Sequence, residues 1–422
     1  MKTHLFETIP EESLKILERF DSLLQDIKPL NSKQLAQLPE NIRELSHLLT
    51  DERGSRRIGY MNATVFLAAY TRYFMWWNLV RLSPVFSGFC KNEDTKAVFS
   101  GLTDDSVLLD IGSGPLTVPV ALWLAAPELR TKMLTFYCLD YSQTALAFGE
   151  EILLSVAAKT IDATPDQKLW QIVRVKGAMG TAIKRKADVV FCANMFNELF
   201  WDTPQPLEQV SKKYAGELLP YLKEKASVFV AEPGVPRAAR FVSLLRDSLM
   251  RKGFMPLSPC PHAGVCPMDG RKGGKWCHFT LLTDEADAPE KLLKLSASAG
   301  IPKDRASLSF VFASSVTEKR ASATSAEKSV DLSSRGTEKP VKEVGSAGGL
   351  KVRVVSDSIR LGKTGEAQGS SGRYACSEAG LALVVAPEKA FSSGDMFETA
   401  ITLEKAKKLP RDRKTGALKI EL

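Results

Sequence analysis

The 422-residue sequence predicts an α/β protein: a parallel sheet covered on both faces, preceded by a helical cap and followed by a small β-rich module. Three observations carry this. From Val107 onward, short apolar runs (VLLDI, LTFYCLD, WQIVRV, ADVVFCA, SVFVAEP) alternate with helical segments, the pattern of successive βαβ units. Upstream, residues 1–100 show helical apolar spacing. Downstream of a stretch rich in Ser, Ala, Gly, Lys and Glu, strand-like runs resume.

In order along the chain, EESLKILERFDSLLQDI reads as one amphipathic helix, and VFLAAYTRYFMWWNLVRL as an aromatic-rich helix ending at Ser83-Pro84. The apolar run Met61–Val80 is long enough to span a bilayer, but Arg72, Asn62 and Asn78 are costly in hydrocarbon, so a buried helix is expected. A sheet-forming region spans 101–317, closing on CHFTLLT and ASLSFVFASS, with a cysteine-bearing loop at 258–279. Residues 318–350 read as a flexible linker. The last part, 351–422, reads as a β module (KVRVVSDSIRL, RYACSEAGLALVVA) ending in a basic tail.

Composition is that of an ordinary folded chain, 44% hydrophobic and 25% charged, which excludes collagen-like and wholly disordered readings. The first residues, MKTHLFETIPEE, lack an apolar signal core and turn acidic, so a cytoplasmic location is expected, with no membrane segment. Seven cysteines are an odd count for a disulfide framework and fit reduced thiols, some of them metal ligands. The net charge is +8, and residues 318–422 hold 19 Lys/Arg against 14 Asp/Glu. Lys405, Lys407, Lys408, Arg411, Arg413, Lys414 and Lys419 face one acid, Asp412, in a run that suits a polyanion or a solvated surface alike.

VLLDIGSGPLTVPVALWLA reads as strand, glycine turn and helix. Gly112 and Gly114 let the backbone turn sharply and approach a ligand, and the helix that follows offers free N–H groups. Asp140 ends the next strand, where a carboxylate can accept the hydroxyls of a ribose. Pro115 and Leu116 depart from the full dinucleotide fingerprint. Together these features describe a nucleoside site.

The string SPCPHAGVCPMDGRKGGKWCHF sets Cys260, Cys266 and Cys277 at C-x5-C-x10-C in a Pro/Gly-rich loop. Thiolates are soft ligands that hold iron–sulfur clusters in fours, or zinc in fours or together with imidazole, and His262 and His278 sit beside them. Cys138 and Cys192 lie in expected buried strands and Cys90 is isolated, which leaves Cys376 as the remaining candidate.

Residues 100–315 resemble the Rossmann-like S-adenosylmethionine-dependent methyltransferase fold. The resemblance implies that Asp110, Gly112 and Gly114 line the methionine part of the cofactor, that Asp140 binds its ribose, and that Asn194, in ADVVFCANMFNEL, faces the transferring methyl as a catalytic candidate. Met195-Phe196 follows Asn194 where base-methylating relatives have Pro-Pro-aromatic. More specifically, DIGSGPLTVPVALWL, AEPGVPRAARFVSLLR, CPHAGVCPM, WCHF and RASLSFVFAS resemble the methyltransferase-like family associated with the mitochondrial small ribosomal subunit and its bacterial relatives, over about residues 40–385. That resemblance implies a metal-binding protein with a 4Fe-4S iron-sulfur cluster on Cys260, Cys266, Cys277 and Cys376, acting in small-subunit assembly and translation.

Three functions are thereby expected in order. The first is a monomeric, RNA-binding assembly factor that contacts the small ribosomal subunit and its rRNA. The second is an active rRNA methyltransferase using S-adenosyl-L-methionine. The third, a zinc-stabilised small-molecule methyltransferase, leaves Arg53, Arg56, Arg57 and the basic C-terminus without a partner, whereas RNA phosphates explain both.

Overall fold

A computed structural model describes residues 2–50, 59–201, 203–269, 275–282, 288–303, 305–315, 349–361 and 370–422. Arg53, Arg56 and Arg57, and nearly all of the expected linker, lie outside the described residues.

The main sheet has eight strands: β1 (Val107–Ile111), β2 (Thr135–Asp140), β3 (Gln171–Lys176), β4 (Ala187–Ala193), β5 (Leu222–Pro233), β6 (Phe254–Ser258), β7 (Phe279–Leu282) and β8 (Arg305–Ser315). Their order is β3-β2-β1-β4-β5-β8-β6, with β7 also on β8. The first five pair in parallel and β8 enters antiparallel to β5. The chain order reverses at β1, where crossovers leave toward opposite edges, and ligands of such sheets bind in the crevice at the strands' carboxyl ends there. β6 and β7 both pair with β8, at opposite ends of it, so the cysteine loop joining them projects from the sheet edge.

Alternate residues on each central strand feed different layers. Leu108, Phe136, Cys138 and Phe191 belong to the core on one face, and Leu109, Leu139, Val190 and Cys192 to the core on the other. Cys138 and Cys192 are thus fully enclosed, as small hydrophobes are. On the first face lies helix Trp76–Lys91, whose Phe86 and Phe89 meet Phe229 and Phe312 at ring-centroid distances of 5.2 and 4.7 Å.

This helix differs from the expectation that it ends at Pro84. It runs on to Lys91, because burial of Val85, Phe86 and Phe89 outweighs the hydrogen bond a proline cannot make. The N-terminal segment lies along it: Glu7 N–H donates to the Pro84 carbonyl (3.1 Å), and a Cβ on Gly88 would stand 2.2 Å from the Leu5 carbonyl oxygen. The first expected helix is two, Glu11–Glu18 and Phe20–Ile27, broken at Arg19. Arg72, the charge inside the apolar run, is buried and donates to the Leu24 and Lys28 carbonyls (3.3 and 2.9 Å), capping the second. Among the described residues, no helix is long and apolar enough to cross a membrane.

The C-terminal sheet comprises β9 (Lys351–Val354), β10 (Ile359–Arg360), β11 (Ser370–Ser377), β12 (Gly380–Pro387), β13 (Met396–Glu398) and β14 (Leu418–Glu421), in the order β13-β9-β11-β12-β14 with β10 on β11. Thr3 bridges to Met396, so the chain's beginning joins this sheet's edge. The expected basic tail is a folded part of it: helix Leu403–Ala406 is followed by β14 running parallel to β12. Leu418 and Ile420 are buried while Lys419 and Glu421 are exposed, a period-2 anchor that the surrounding charge obscured in the sequence.

Candidate functional site

Two pockets carry the chemistry. The first, about 480 Å³, opens at the carboxyl ends of β1, β2 and β4, and Gly112, Gly114, Asp140 and Asn194 all line it. Gly112 and Gly114 have φ of +73° and +53°, in the left-handed region where a side chain is strained. A Cβ on Gly112 would also stand 2.4 Å from Met195 Cγ, and one on Gly114 would point at Met61 Cε at 3.5 Å. Leu116 takes the left-handed conformation too (φ +57°) but is buried and does not line the pocket, so neither it nor Pro115 closes the site.

The close helix approach that a third glycine would serve is supplied from elsewhere. Gly149, on helix Gln143–Lys159, packs so tightly that a Cβ would meet the Pro115 carbonyl carbon at 2.3 Å.

Asp140 is anchored by two backbone donors, with Gly114 N–H on Oδ2 (2.9 Å) and Ser142 N–H on Oδ1 (2.8 Å). Burial raises its carboxyl above the usual range against those bonds. Asp110 lies beneath the pocket and does not line it. It is 1% exposed, its Oδ2 accepts from Ser113 Oγ (2.7 Å), and its Oδ1 is a buried oxygen with no hydrogen-bond partner. Burial pushes this carboxyl up to about 8, the Ser113 bond opposing and the Asp140 charge assisting.

Asn194 takes φ +56° and donates its N–H to the Ala231 carbonyl (2.8 Å), which turns the chain into the pocket wall. The start of helix Phe196–Phe200 is satisfied by Glu232 of β5, which accepts from the Phe196 and Asn197 N–H groups at 2.8 and 3.1 Å. Sequence reasoning missed the wall from the N-terminal helices: Tyr60, Met61 and Tyr70. Tyr70 opens a π-helical turn, Tyr70–Met75, and its phenol is raised by burial and then by the charges of Glu198 and Asp140. Only Tyr141, directly after Asp140, carried a local signal.

The second pocket is small, about 20 Å³, on the scale of one water. Cys260, Cys266 and Cys277 of the loop and Cys376 of β11 all line it, as do His262, Arg246 and Arg353. The fold thus joins cysteines 99 positions apart. His262 Nε2 is 3.2 Å from Cys376 Sγ and its Nδ1 has no partner, while His278 turns away to stack on Trp276 (5.1 Å). Burial, then the Cys260 sulfur, raises the Cys266 thiol to about 11, and burial followed by neighbouring sulfurs likewise raises Cys277 and Cys376. Burial, then the Arg246 charge, lowers His262 to about 4, so its ring is neutral. Among the described residues, no three His, Cys, Asp or Glu side chains converge as the ligands of a single ion do. The sulfurs instead stand around one small space.

A glycine turn at the switch point, an acid on the next strand and an antiparallel strand beside β5 define a methyltransferase-type α/β fold with a second small sheet. Residues 103–325 match the family model described as mitochondrial small ribosomal subunit Rsm22, and the chain belongs to that family. The match takes in three of the four cysteines and ends before Cys376. No curated protein matches the chain. Similar solved structures include a SAM-dependent methyltransferase from Geobacter sulfurreducens in complex with S-adenosyl-L-homocysteine (13% identity, 56% of this chain, 89% of that one, TM-score 0.29). A methyltransferase from Pyrococcus furiosus is also similar (16% identity, 38% and 71% coverage, TM-score 0.24).

Proposed function

We propose that this protein is a cytoplasmic, monomeric assembly and translation factor of the small ribosomal subunit that binds S-adenosylmethionine, a [4Fe–4S] cluster and rRNA. The observation that carries the reading is the meeting of four thiols from two distant segments around one small pocket. Each cysteine of a cubane ligates its own iron, so the sulfurs surround a volume and need not converge on a point. Cys260, Cys266, Cys277 and Cys376 would hold the cluster, which supplies a covalent tie between the two sheets; its binding free energy is then folding free energy for the C-terminal module. The zinc alternative would use three loop sulfurs and His262, the histidine that lines the pocket.

S-adenosylmethionine suits the first pocket on the chain's own chemistry. Asp140 keeps lone pairs for ribose hydroxyls, Gly112 and Gly114 leave room for ligand atoms, and the unpartnered Asp110 oxygen lies beneath. When bound, the cofactor supplies an activated methyl group. Transfer depends on holding the acceptor in line with it, and Asn194 is the pocket's candidate for orienting an acceptor lone pair.

The test compares Asn194→Ala with Cys266→Ser in cells lacking the native gene. A scaffold expects small-subunit assembly to survive the first change and fail with the second. Loss of a specific rRNA methyl mark with equal growth defects in both would establish the enzyme reading instead. Protein purified without oxygen should carry iron and acid-labile sulfide in near-equal amounts. Zinc alone, retained in Cys376→Ser and lost on replacing His262, would overturn the cluster.

A further inference from the structure

Two arginines, one on a helix and one on β9, line the cysteine pocket. Arg246, on helix Pro236–Met250, is 3% exposed and donates from Nε to Cys260 Sγ (3.1 Å) and from Nη2 to the His262 and Gly264 carbonyls (2.9 Å each), while Nη1 reaches Asp247 (2.8 Å). One guanidinium therefore shapes the loop around a sulfur. Arg353, on β9, stands directly opposite Cys376 in the sheet register and is 6% exposed. Its Nε donates to the Pro259 carbonyl (3.0 Å) and its Nη1 to the Gly394 carbonyl (2.7 Å), so its hydrogen bonds go to neutral groups.

Burying a cation is expensive unless a countercharge shares its site. Asp247 serves Arg246 from the outer side, but nothing that Arg353 bonds to is charged. Asp94 and Asp395 act on Arg353 through space without bonding to it, and neutral thiols would add nothing to them. Four thiolates around a [4Fe–4S]2+ core would leave a net charge of −2, equal and opposite to two guanidiniums.

We infer that Arg246 and Arg353 are the countercharge of an anionic cluster on Cys260, Cys266, Cys277 and Cys376, and that together they hold its reduction potential up. The inference rests on the four-cysteine reading above. Reduction adds one electron, taking the site from −2 to −3, and cations and N–H···S donors stabilise the more negative state more strongly. Arg353 acts through its charge alone, Arg246 also through its bond to Cys260.

The experiment is a potentiometric titration with dithionite of the full chain purified without oxygen, followed by the electron paramagnetic resonance signal of the reduced cluster, with iron and sulfide measured on each sample. Arg353→Met should retain its iron and lower the midpoint by about 59 mV, so that at a fixed potential the reduced-to-oxidised ratio falls about tenfold. Arg246→Lys, which keeps the charge and loses the fork geometry, should shift it less. Full iron with an unmoved midpoint in both variants overturns the inference and leaves the cluster standing. Wild-type protein without iron removes the four-cysteine reading and this one with it. If Arg353→Met sheds iron, Arg353→Lys decides: retained iron with the wild-type midpoint supports the charge role, and loss there refutes it.

Discussion

The two candidate sites of this molecule are built in different ways. The candidate nucleoside pocket is roomy, about 480 Å³, and its floor comes from strand ends and turns within one sheet. The cysteine pocket is narrow, about 20 Å³, and is completed only when β11 of the second sheet meets a loop from the first. A small molecule can enter and leave the first after folding. A group held by all four thiols of the second would tie the two sheets together, which would make it a structural partner. The contrast teaches that one fold can offer two kinds of candidate site, one at a strand-end crevice and one at an inter-sheet seam.

The largest expected effect separates the two. Cys376→Ser should lose most of the iron and release the C-terminal module, read as iron content and as new limited-proteolysis sites after residue 315, while S-adenosylmethionine affinity changes less than about threefold. A parallel loss of cofactor binding would show that the pockets are one cooperative unit.

The converse variant is Gly112→Ala. A Cβ at 2.4 Å from Met195 Cγ, on a residue with φ +73°, should cost about 1–3 kcal/mol in stability and abolish cofactor heat in calorimetry, with iron unchanged. Gly149→Ala should weaken cofactor binding indirectly, since its Cβ would displace the Pro115 backbone at 2.3 Å.

The first pocket also carries a pH dependence. The folded value of Asp110 is about 8 against an ordinary 3.8, so between those values the folded state binds more protons than the unfolded one. Stability from this group therefore falls as pH rises from about 4 to 8, at roughly 1.4 kcal/mol per unit as an upper bound. Urea unfolding of Asp110→Asn should show a flatter dependence over that window; an unchanged slope would falsify the assignment.

The smallest effect concerns RNA. Because β14 belongs to the second sheet, truncating the C-terminus would unfold what it is meant to probe, so charge removal is the cleaner test. Lys405, Lys407 and Lys408 are exposed, and changing all three to Gln should lower the slope of log affinity against log salt for small-subunit rRNA by about 2–3 if each meets a phosphate. An unchanged slope would remove this face as a contact.

Much of the sheet was legible because burial imposes local patterns. VLLDI and ADVVFCA coincide with β1 and β4, since strands buried on both faces must be continuous apolar runs. The glycine turn was legible because left-handed backbone selects glycine at 112 and 114. Other features carried no such mark. Pro84 reads as a helix end, and only packing on Phe229 and Phe312 shows why the helix continues. The second close glycine, Gly149, lies 37 positions from Gly112 in an ordinary helical run, and Tyr60, Met61 and Tyr70 reach the pocket from helices with no motif.

The sequence by itself determined the alternating architecture, the glycine turn with its acid, and three clustered thiols in a loop that cannot be regular structure. Each is a local property, set by side-chain period, backbone dihedral or residue spacing. Tertiary structure brought Cys376, in sequence only the remaining candidate, to the trio, and it alone decided that His262 and not His278 lines the site and that Arg246 and Arg353 flank it. These depend on how two sheets meet, and contacts between residues a hundred positions apart leave no periodic trace in the chain that makes them.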